Sequence, residues 1–156
     1  MKYRILVTCH GNICRSAMAE FMLKDMVQKA GRSDEFYIES AATHNDEIGN
    51  PVYPPAKAKL AEHGIGCEGK TARRIRREDY DRFDLIIGMD QANMRNMERA
   101  FGGDPEGKLK LMMDYTDRPC EVADPWYTRD FEATWRDLSE GLQGLLKSLK
   151  EDGVLE

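Results

Sequence analysis

The sequence predicts a single α/β domain in which helices cover both faces of a parallel sheet. Short apolar runs alternate along the chain with amphipathic stretches, and this alternation is typical of parallel sheets. The chain has 156 residues, 41% of them hydrophobic, which suffices to bury the core of one compact domain and leaves little for a second. We therefore expect residues 1–156 to form one domain.

The first half of the chain predicts two strands, each followed by a helix. A short apolar, β-branched run predicts a buried strand over Arg4–Thr8, and apolar residues at three- and four-residue intervals predict a helix over Ala17–Ala30. The second strand is predicted at Phe36–Ser40. A pair of prolines then favours the start of a helix over Pro55–His63, and Gly64 suits its C-cap.

The second half repeats this order. Strands are predicted at Asp84–Met89 and Leu109–Met112, and helices at Gln91–Phe101 and Thr128–Lys150. The last helix has the clearest pattern, in which apolar side chains recur every three or four residues: Phe131, Trp135, Leu138, Leu142, Leu145 and Leu149. We interpret this stripe as core rather than as a cofactor site.

Composition and net charge argue against some classes of function. A net charge of −5 argues against a general nucleic-acid binder. Arg73–Arg77 is a local exception, which we interpret as a solvated face or as a surface that attracts an acidic or phosphorylated partner. The chain has no apolar run long enough for a membrane span or a signal peptide, so we expect a cytoplasmic protein.

The four cysteines predict neither a disulfide framework nor a metal centre. In a cytoplasmic chain, cysteines are mostly reduced or take part in redox chemistry. No pair of cysteines and no Cys/His cluster has the spacing of a zinc site. We therefore expect no metal and no other cofactor.

A short loop between the first predicted strand and the first predicted helix has the composition of an anion site. Cys9 and Arg15 enclose five residues: His10, Gly11, Asn12, Ile13 and Cys14. A loop that ends at a helix N-terminus directs backbone N–H groups and the positive end of the helix dipole towards an anion, and the guanidinium of Arg15 adds a bidentate donor. The same field favours the thiolate of Cys9, which makes it a nucleophile at neutral pH.

The same spacing recurs from Cys67 to Arg73, so spacing alone does not identify the site. Cys67 follows a helix stop and a turn at His63–Gly66, and no apolar strand precedes it. We interpret Cys67 as a packing or surface residue. For Cys9 the alternative is a half-buried cysteine at the end of a strand.

Two polar loops, Thr43–Tyr53 and Arg118–Tyr127, are expected to form the rim of the Cys9 site, because ligands of open parallel sheets bind outside the carboxyl ends of the strands. A thiolate that attacks a phosphomonoester also needs an acid to protonate the leaving group. Among the 28 acidic residues, Asp124 ranks high but not uniquely, because Pro125 and two aromatic residues, Trp126 and Tyr127, follow it. The alternative is an Asp-Pro turn with surface aromatics.

Four groups of residues, in order along almost the whole chain, resemble the motifs of the low-molecular-weight protein tyrosine phosphatases. They are Cys9–Ser16 with Met18–Glu20, Ser40–Thr43, Met89–Asp90, and Asp124–Tyr127 with Asp130–Glu132. The resemblance implies a Rossmann-like fold of the phosphotyrosine phosphatase I type, with a four-stranded parallel sheet. It also implies phosphotyrosine proteins as substrates and inorganic phosphate as a product, with no nucleic-acid or membrane partner.

The resemblance also assigns roles within the site. Cys9 is implied as the nucleophile, Arg15 as the phosphate clamp, and Asp124 as the general acid and then the general base. The backbone of the loop from His10 to Arg15 is implied to bind phosphate. The remaining implied roles are a hydrogen bond from Ser16 to the thiolate, a brace formed by Asn12 with Ser40, a wall for the phenyl ring formed by Trp126 and Tyr127, and a reversible disulfide of Cys14 with Cys9.

The loop Asp46–Pro55 departs from the family pattern. Asp46 and Glu47 replace an aromatic wall, and we expect them to make that side of the cleft more polar and to weaken aryl phosphate affinity. Three alternatives remain. A thioredoxin-coupled arsenate reductase needs two further closely spaced cysteines, which Cys67 and Cys120 are not; protein arginine phosphatases carry threonine at the position of Ile13; a phosphoprotein-binding module needs neither nucleophile nor acid.

Overall fold

The computed structural model describes residues 2–118 and 120–154, and its centre is a sheet of four parallel strands in the order β2-β1-β3-β4. The strands are β1 (Tyr3–Cys9), β2 (Phe36–Ala42), β3 (Leu85–Gly88) and β4 (Leu109–Leu111). The chain builds outward from β1 to β2 and then crosses to the other side of β1. The order of strands therefore reverses between β1 and β3, which is where an open parallel sheet offers a crevice for ligands. Cys9 is the last residue of β1.

Helices cover both faces of the sheet. They are α1 (Arg15–Lys29), α2 (Pro54–Glu62), α3 (Asp79–Arg82), α4 (Gln91–Phe101), α5 (Pro125–Thr128) and α6 (Phe131–Glu151), with 3-10 turns at Ser33–Glu35 and Met112–Tyr115. Side chains of β1 alternate between the faces: Ile5 and Val7 pack with α1 and α6, whereas Leu6 packs with α3 and α4. No helix in residues 2–118 and 120–154 is long and apolar enough to cross a membrane.

The α/β fold with four parallel strands is as predicted, and each predicted strand is present within one or two residues of its expected ends. The predicted stripe of the last helix is confirmed as core: four of its leucines are buried, and the two aromatic residues are partly buried against them. The predicted stripe of the first helix is wrong at its end, because Ala30 follows the last turn and is exposed.

The prediction of one helix over Thr128–Lys150 is wrong at its start. Thr128 belongs to α5, and the backbone of Arg129 is left-handed, with φ of 62°. Helix α6 then begins anew, capped by Asp130, whose carboxylate accepts a hydrogen bond from the Ala133 N–H at 2.9 Å. Two helices replace one because the left-handed Arg129 ends α5 and Asp130 caps the start of α6.

Candidate active site

Cys9 lies at the carboxyl end of β1, with its side chain almost fully buried. The backbone N–H groups of Asn12 and Ser16 donate to its sulfur at 3.3 and 3.4 Å, and the Ser16 hydroxyl lies 3.1 Å from it. Three hydrogen-bond donors that converge on one sulfur form an environment suited to a thiolate. The loop between β1 and α1 therefore wraps around Cys9, as the sequence predicts.

Asn12 stabilises the conformation of this loop through its side chain. Its backbone is left-handed, with φ of 60°, a conformation that costs energy unless neighbouring groups fix it. Its side-chain amide donates to the hydroxyls of Ser16 at 2.8 Å and Ser40 at 2.9 Å, and its carbonyl accepts from the Arg73 N–H at 3.3 Å. Asn12, Ser16 and Ser40 are buried and brace the loop, and none of the three lines the pocket described below.

A buried carboxylate supports Ser40 in turn. Glu20 of α1 accepts a hydrogen bond from the Ser40 hydroxyl and from Lys24, and Lys70 lies 3.5 Å away. The Lys70 ammonium also donates to the Ser40 carbonyl at 2.9 Å. Burial lowers the pKa of Lys70, and Glu20 opposes that shift. The fold thus brings the loop of Lys70 to the end of β2, beside the groups that brace Asn12.

Arg15 is the first residue of α1, and its side chain is only 3% exposed. One guanidinium nitrogen donates to Asp90 at 2.8 Å and to the Val122 carbonyl at 2.9 Å, and the other lies 3.5 Å from Asp124. Burial lowers the pKa of Arg15, but Cys9, Asp90 and Asp124 together outweigh it and raise the pKa. The guanidinium therefore stays charged and fixed in direction.

Asp90 caps a helix and also binds Arg15, and the sequence did not predict the second of these roles. It is the N-cap of α4 and accepts a hydrogen bond from the Asn93 N–H at 2.8 Å, while its other oxygen holds Arg15. An aspartate between a buried strand and a helix is a normal capping signal, but nothing local in the sequence indicates that its second oxygen faces Arg15.

Asp124 also caps a helix and faces the cysteine loop. One carboxylate oxygen accepts from the Trp126 N–H at 3.0 Å, and the other lies 3.5 Å from Arg15. The following aromatic side chains, Trp126 and Tyr127, are 40% and 81% exposed. A single pocket is lined by these residues together with the cysteine loop: Cys9, His10, Gly11, Ile13, Cys14, Arg15, Asp46, Glu47, Asp124, Trp126 and Tyr127. Both polar loops reach the site, as predicted.

The side of the pocket that Asp46 and Glu47 line also contains His10, which stacks on a second histidine, His44. His10 Nε2 lies 2.6 Å from Asp46, and the His10 ring stacks on His44 at a centroid distance of 3.9 Å. The hydrogen bond to His10 lowers the pKa of Asp46. Glu47 packs close to Gly11, where an added Cβ would lie 3.3 Å from its Cγ. Asp46 and Glu47 therefore form the acidic side of the pocket, as predicted. The sequence did not predict that Asp46 pairs with His10 or that His44 stacks on His10.

The remaining cysteines differ in environment. The pKa of Cys14 is raised to about 12 by burial and by Cys9 and Asp124, with Arg15 opposing. Cys67 lies buried among apolar side chains, and burial raises its pKa as well. Arg73, six residues on, pairs with Asp79 at 3.0 Å. The second Cys-to-Arg spacing therefore forms no anion site, as its sequence context indicates.

Comparisons with known proteins match this geometry. Residues 4–155 match the family model of the low molecular weight phosphotyrosine protein phosphatases. The chain is 33% identical over 153 residues to the low molecular weight protein-tyrosine-phosphatase YfkJ of Bacillus subtilis, covering 97% of this chain and 98% of that protein. The crystal structure of YfkJ superimposes with a TM-score of 0.94 over 97% of each chain.

Two further solved structures are similar. The low molecular weight protein tyrosine phosphatase SP-PTP of Streptococcus pyogenes is 38% identical with a TM-score of 0.85, over 96% of this chain and 93% of that one. DARP, described as a Drosophila arginine phosphatase, is 28% identical with a TM-score of 0.85, over 96% and 98%. The similarity therefore extends over nearly the full length of each relative.

Proposed function

Since the chain belongs to the low molecular weight phosphotyrosine protein phosphatase family, we propose that it hydrolyses phosphotyrosine in proteins, and other aryl phosphate monoesters, through a cysteinyl-phosphate intermediate. The observation that carries this proposal is the convergence of three groups on one pocket: the sulfur of Cys9, the guanidinium of Arg15 and the carboxyl of Asp124. A nucleophile, an anion clamp and an acid are what transfer of a phosphoryl group to sulfur requires.

In the first step, the Cys9 thiolate attacks phosphorus and the bond to the phenolic oxygen breaks. Arg15 and the backbone N–H groups of the loop bind the phosphoryl oxygens, on which negative charge is spread in the transition state. Protonated Asp124 gives its proton to the leaving phenolate. The products of this step are the free tyrosine side chain and phosphate bound covalently to Cys9.

In the second step, water replaces the sulfur. Asp124, now a carboxylate, accepts a proton from the water as its oxygen bonds to phosphorus. The phosphorus–sulfur bond breaks, which releases inorganic phosphate and restores the Cys9 thiolate. The hydroxyl and N–H groups that surround the sulfur, from Ser16 and Asn12, then stabilise this leaving thiolate in the same way as they stabilise the starting nucleophile.

The aromatic wall is suited to a phenyl ring. Trp126 and Tyr127 line the pocket, and Trp126 is backed by Tyr53 at a centroid distance of 4.8 Å. The Arg129 guanidinium donates to the Tyr53 hydroxyl at 2.9 Å, which fixes the ring. We propose that Trp126 and Tyr127 flank the tyrosine ring of the substrate, and that Tyr53 positions Trp126.

The test of this function is turnover of p-nitrophenyl phosphate and of a phosphotyrosine peptide in the presence of a metal chelator. We expect activity in the unmodified protein and none in Cys9→Ser. Asp124→Ala should slow turnover most for substrates with poor leaving groups, because these depend most on the proton. Full activity in Cys9→Ser would contradict the proposal.

A side-by-side assay distinguishes the related reactions of this fold. Phosphotyrosine, phosphoarginine and arsenate with reductant are offered to the same preparation at equal concentrations. We expect phosphotyrosine to be the preferred substrate, since Ile13 lines the pocket where arginine phosphatases carry threonine.

All four cysteines are free thiols, which suits a reducing compartment, and we propose a cytoplasmic location.

A further inference from the structure

Four exposed arginines lie on α4 and on the segment 73–77 that packs against it, and we term them the arginine surface: Arg74, Arg77, Arg95 and Arg99. Within residues 2–118 and 120–154, none of the four forms an ion pair. The two that donate side-chain hydrogen bonds donate to amide oxygens, Arg74 to Asn45 and Arg99 to Asn96. The chain has 28 acidic and 23 basic side chains, so unpaired arginines in one place are not explained by a shortage of carboxylates.

Backbone hydrogen bonds connect this surface to the catalytic loop. Residues 73–75 lie alongside Ala42 at the end of β2, with hydrogen bonds of 2.6 and 2.8 Å. Two residues further on, the His44 N–H donates to the His10 carbonyl at 3.2 Å. The Arg73 N–H also donates to the Asn12 side chain at 3.3 Å, so Arg74 is one residue away from a direct contact with the cysteine loop. Arg74, Arg76 and Arg77 are exposed to solvent, and the run lies next to the segment that supports the cysteine loop.

A hydrogen bond places one of the arginines near the pocket wall: Arg74 donates to Asn45 at 3.2 Å, between His44 and the pocket-lining Asp46. His44 stacks on His10, which lines the pocket. Its pKa is lowered first by burial and then by His10, and Arg74 and Arg99 lower it further. Both guanidinium groups therefore act on a side chain that is in direct contact with the rim of the pocket.

Arg95 extends the surface along α4, and Arg77 extends it over the end of that helix. Arg95 and Arg99 are four residues apart on this helix, so their side chains share one face about 6 Å apart. Arg77 lies over the end of the helix, with a guanidinium nitrogen 3.3 Å from where a Cβ at Gly102 would be. A spacing of about 6 Å corresponds to about two residues of an extended peptide. The surface is thus long enough to contact several residues of a bound chain.

We propose that the arginine surface binds acidic side chains that flank the phosphotyrosine of a protein substrate. This inference rests on the proposed function, because the bound peptide must leave the pocket over one of its walls. Asp46 and Glu47 form one part of the rim and repel acidic residues, whereas the neighbouring Asn45 accepts a hydrogen bond from Arg74, which forms no ion pair. Arg73–Arg77 contains no aromatic residue on which a nucleic-acid base can stack, which favours a peptide over single-stranded nucleic acid.

The test compares kcat/KM for two phosphotyrosine peptides that differ only in glutamate against glutamine at the flanking positions. We expect the unmodified protein to prefer the glutamate peptide about five- to tenfold at low salt, which is the size of effect that two or three exposed charge pairs give together. The preference should decrease at high salt. The double variant Arg74→Glu, Arg99→Glu should lose or reverse it.

The matched control is the double variant Lys147→Glu, Lys150→Glu, which makes the same change in net charge at exposed positions of α6. It should keep the full preference. Equal kcat/KM for the two peptides in the unmodified protein, or equal loss in both double variants, would overturn the proposal. An RNA duplex or a phosphatidylserine vesicle that binds through Arg74 and Arg99, with no peptide preference, would overturn it in favour of that partner.

Turnover of p-nitrophenyl phosphate separates this inference from the proposed function, because that substrate has no flanking residues. Active protein without a glutamate preference contradicts the arginine surface and leaves the function in place. Inactive protein contradicts the function, and the surface is then tested by fluorescence anisotropy of the labelled glutamate and glutamine peptides. Equal affinity for the two labelled peptides would overturn the surface as well.

Discussion

Arg15 is a buried cation whose direction is set by groups far away in the sequence. Its partners Asp90, Val122 and Asp124 lie 75, 107 and 109 residues along the chain. A charge removed from water must be compensated by hydrogen bonds and opposite charge. These three partners therefore orient the guanidinium before any substrate arrives, which lowers the cost of ordering it when phosphate binds.

Asp90→Asn tests this orientation. Asparagine caps a helix as well as aspartate does, so the start of α4 should persist while the charge opposite Arg15 is lost. We expect kcat/KM for p-nitrophenyl phosphate to fall by about 10- to 100-fold, since small displacements of a catalytic group have effects of this size. Steady-state kinetics and thermal melting of the same preparation provide the measurement.

Asp130→Asn is the matched control, because Asp130 caps α6 in the same manner and does not line the pocket. It should change kcat/KM by less than about twofold, consistent with an exposed cap. An equal loss of activity in the two variants would mean that the effect comes from the helix cap and not from the ion pair with Arg15.

The two cysteines of the loop should differ sharply in reactivity. Burial raises the pKa of Cys14 to about 12, so the thiolate, which is the reactive form, is almost absent at neutral pH. Cys9 has three hydrogen-bond donors around its sulfur. Brief iodoacetamide treatment at pH 7 should therefore modify Cys9 and leave Cys14 unmodified, as read by mass spectrometry of tryptic peptides. Comparable labelling of both would contradict this assignment.

At the scale of elements, the sequence pattern predicted the strands and the longer helices to within about two residues of their ends, except at the start of the last helix. The stripe from Phe131 to Leu149 was predictable because each side chain faces the same core. The left-handed turn at Arg129 was not, because no glycine marks it and the apolar spacing gives no reason for the helix to stop before Asp130. Helix α3 was missed as well, since its four residues are too few to show a period.

The packing of α6 on the 3-10 turn after β4 depends on two glycines. An added Cβ at Gly141 would lie 2.7 Å from the Met112 side chain, and one at Gly144 would overlap the Tyr115 carbonyl. The helix and the turn can approach this closely only because neither position carries a side chain. The backbone carbonyl of Tyr115, which faces Gly144, has no freedom to move aside, unlike the methionine side chain that faces Gly141.

Gly144→Ala should therefore destabilise the fold, although alanine is normally the better helix residue by about 1 kcal/mol. We expect the free energy of unfolding to fall by about 1 to 3 kcal/mol, the usual cost of overpacking, and the Tm to fall by several degrees. Lys147→Ala on the exposed face of the same helix is the control and should change stability by less than about 0.5 kcal/mol. A Tm at or above that of the unmodified protein would contradict the close approach.

For the whole molecule, the candidate site exists only because distant segments meet at one edge of the sheet. The cysteine loop follows β1, Asp90 follows β3, and Asp124 comes from the loop before α5. The sequence allowed this convergence to be predicted, because all strands are parallel and their carboxyl ends share an edge. It did not allow the pairing of Arg15 with Asp90 or of His10 with Asp46 to be predicted, since these depend on side-chain directions that only the packed structure defines.

Because the pocket joins these segments, an anion bound there should stabilise the entire fold. Inorganic phosphate at about 100 times its dissociation constant should add about 2.7 kcal/mol to the free energy of unfolding, which corresponds to about 5 to 10 °C in Tm for a chain of this length. The measurement is thermal unfolding with phosphate against potassium chloride at equal ionic strength. Arg15→Lys should lose most of the shift, because lysine lacks the planar pair of donors. Arg118→Lys, at an exposed arginine that pairs with Asp137 and Glu140, should keep it, and an equal loss in both variants would show that phosphate acts on the protein as a whole and not through the Cys9 loop.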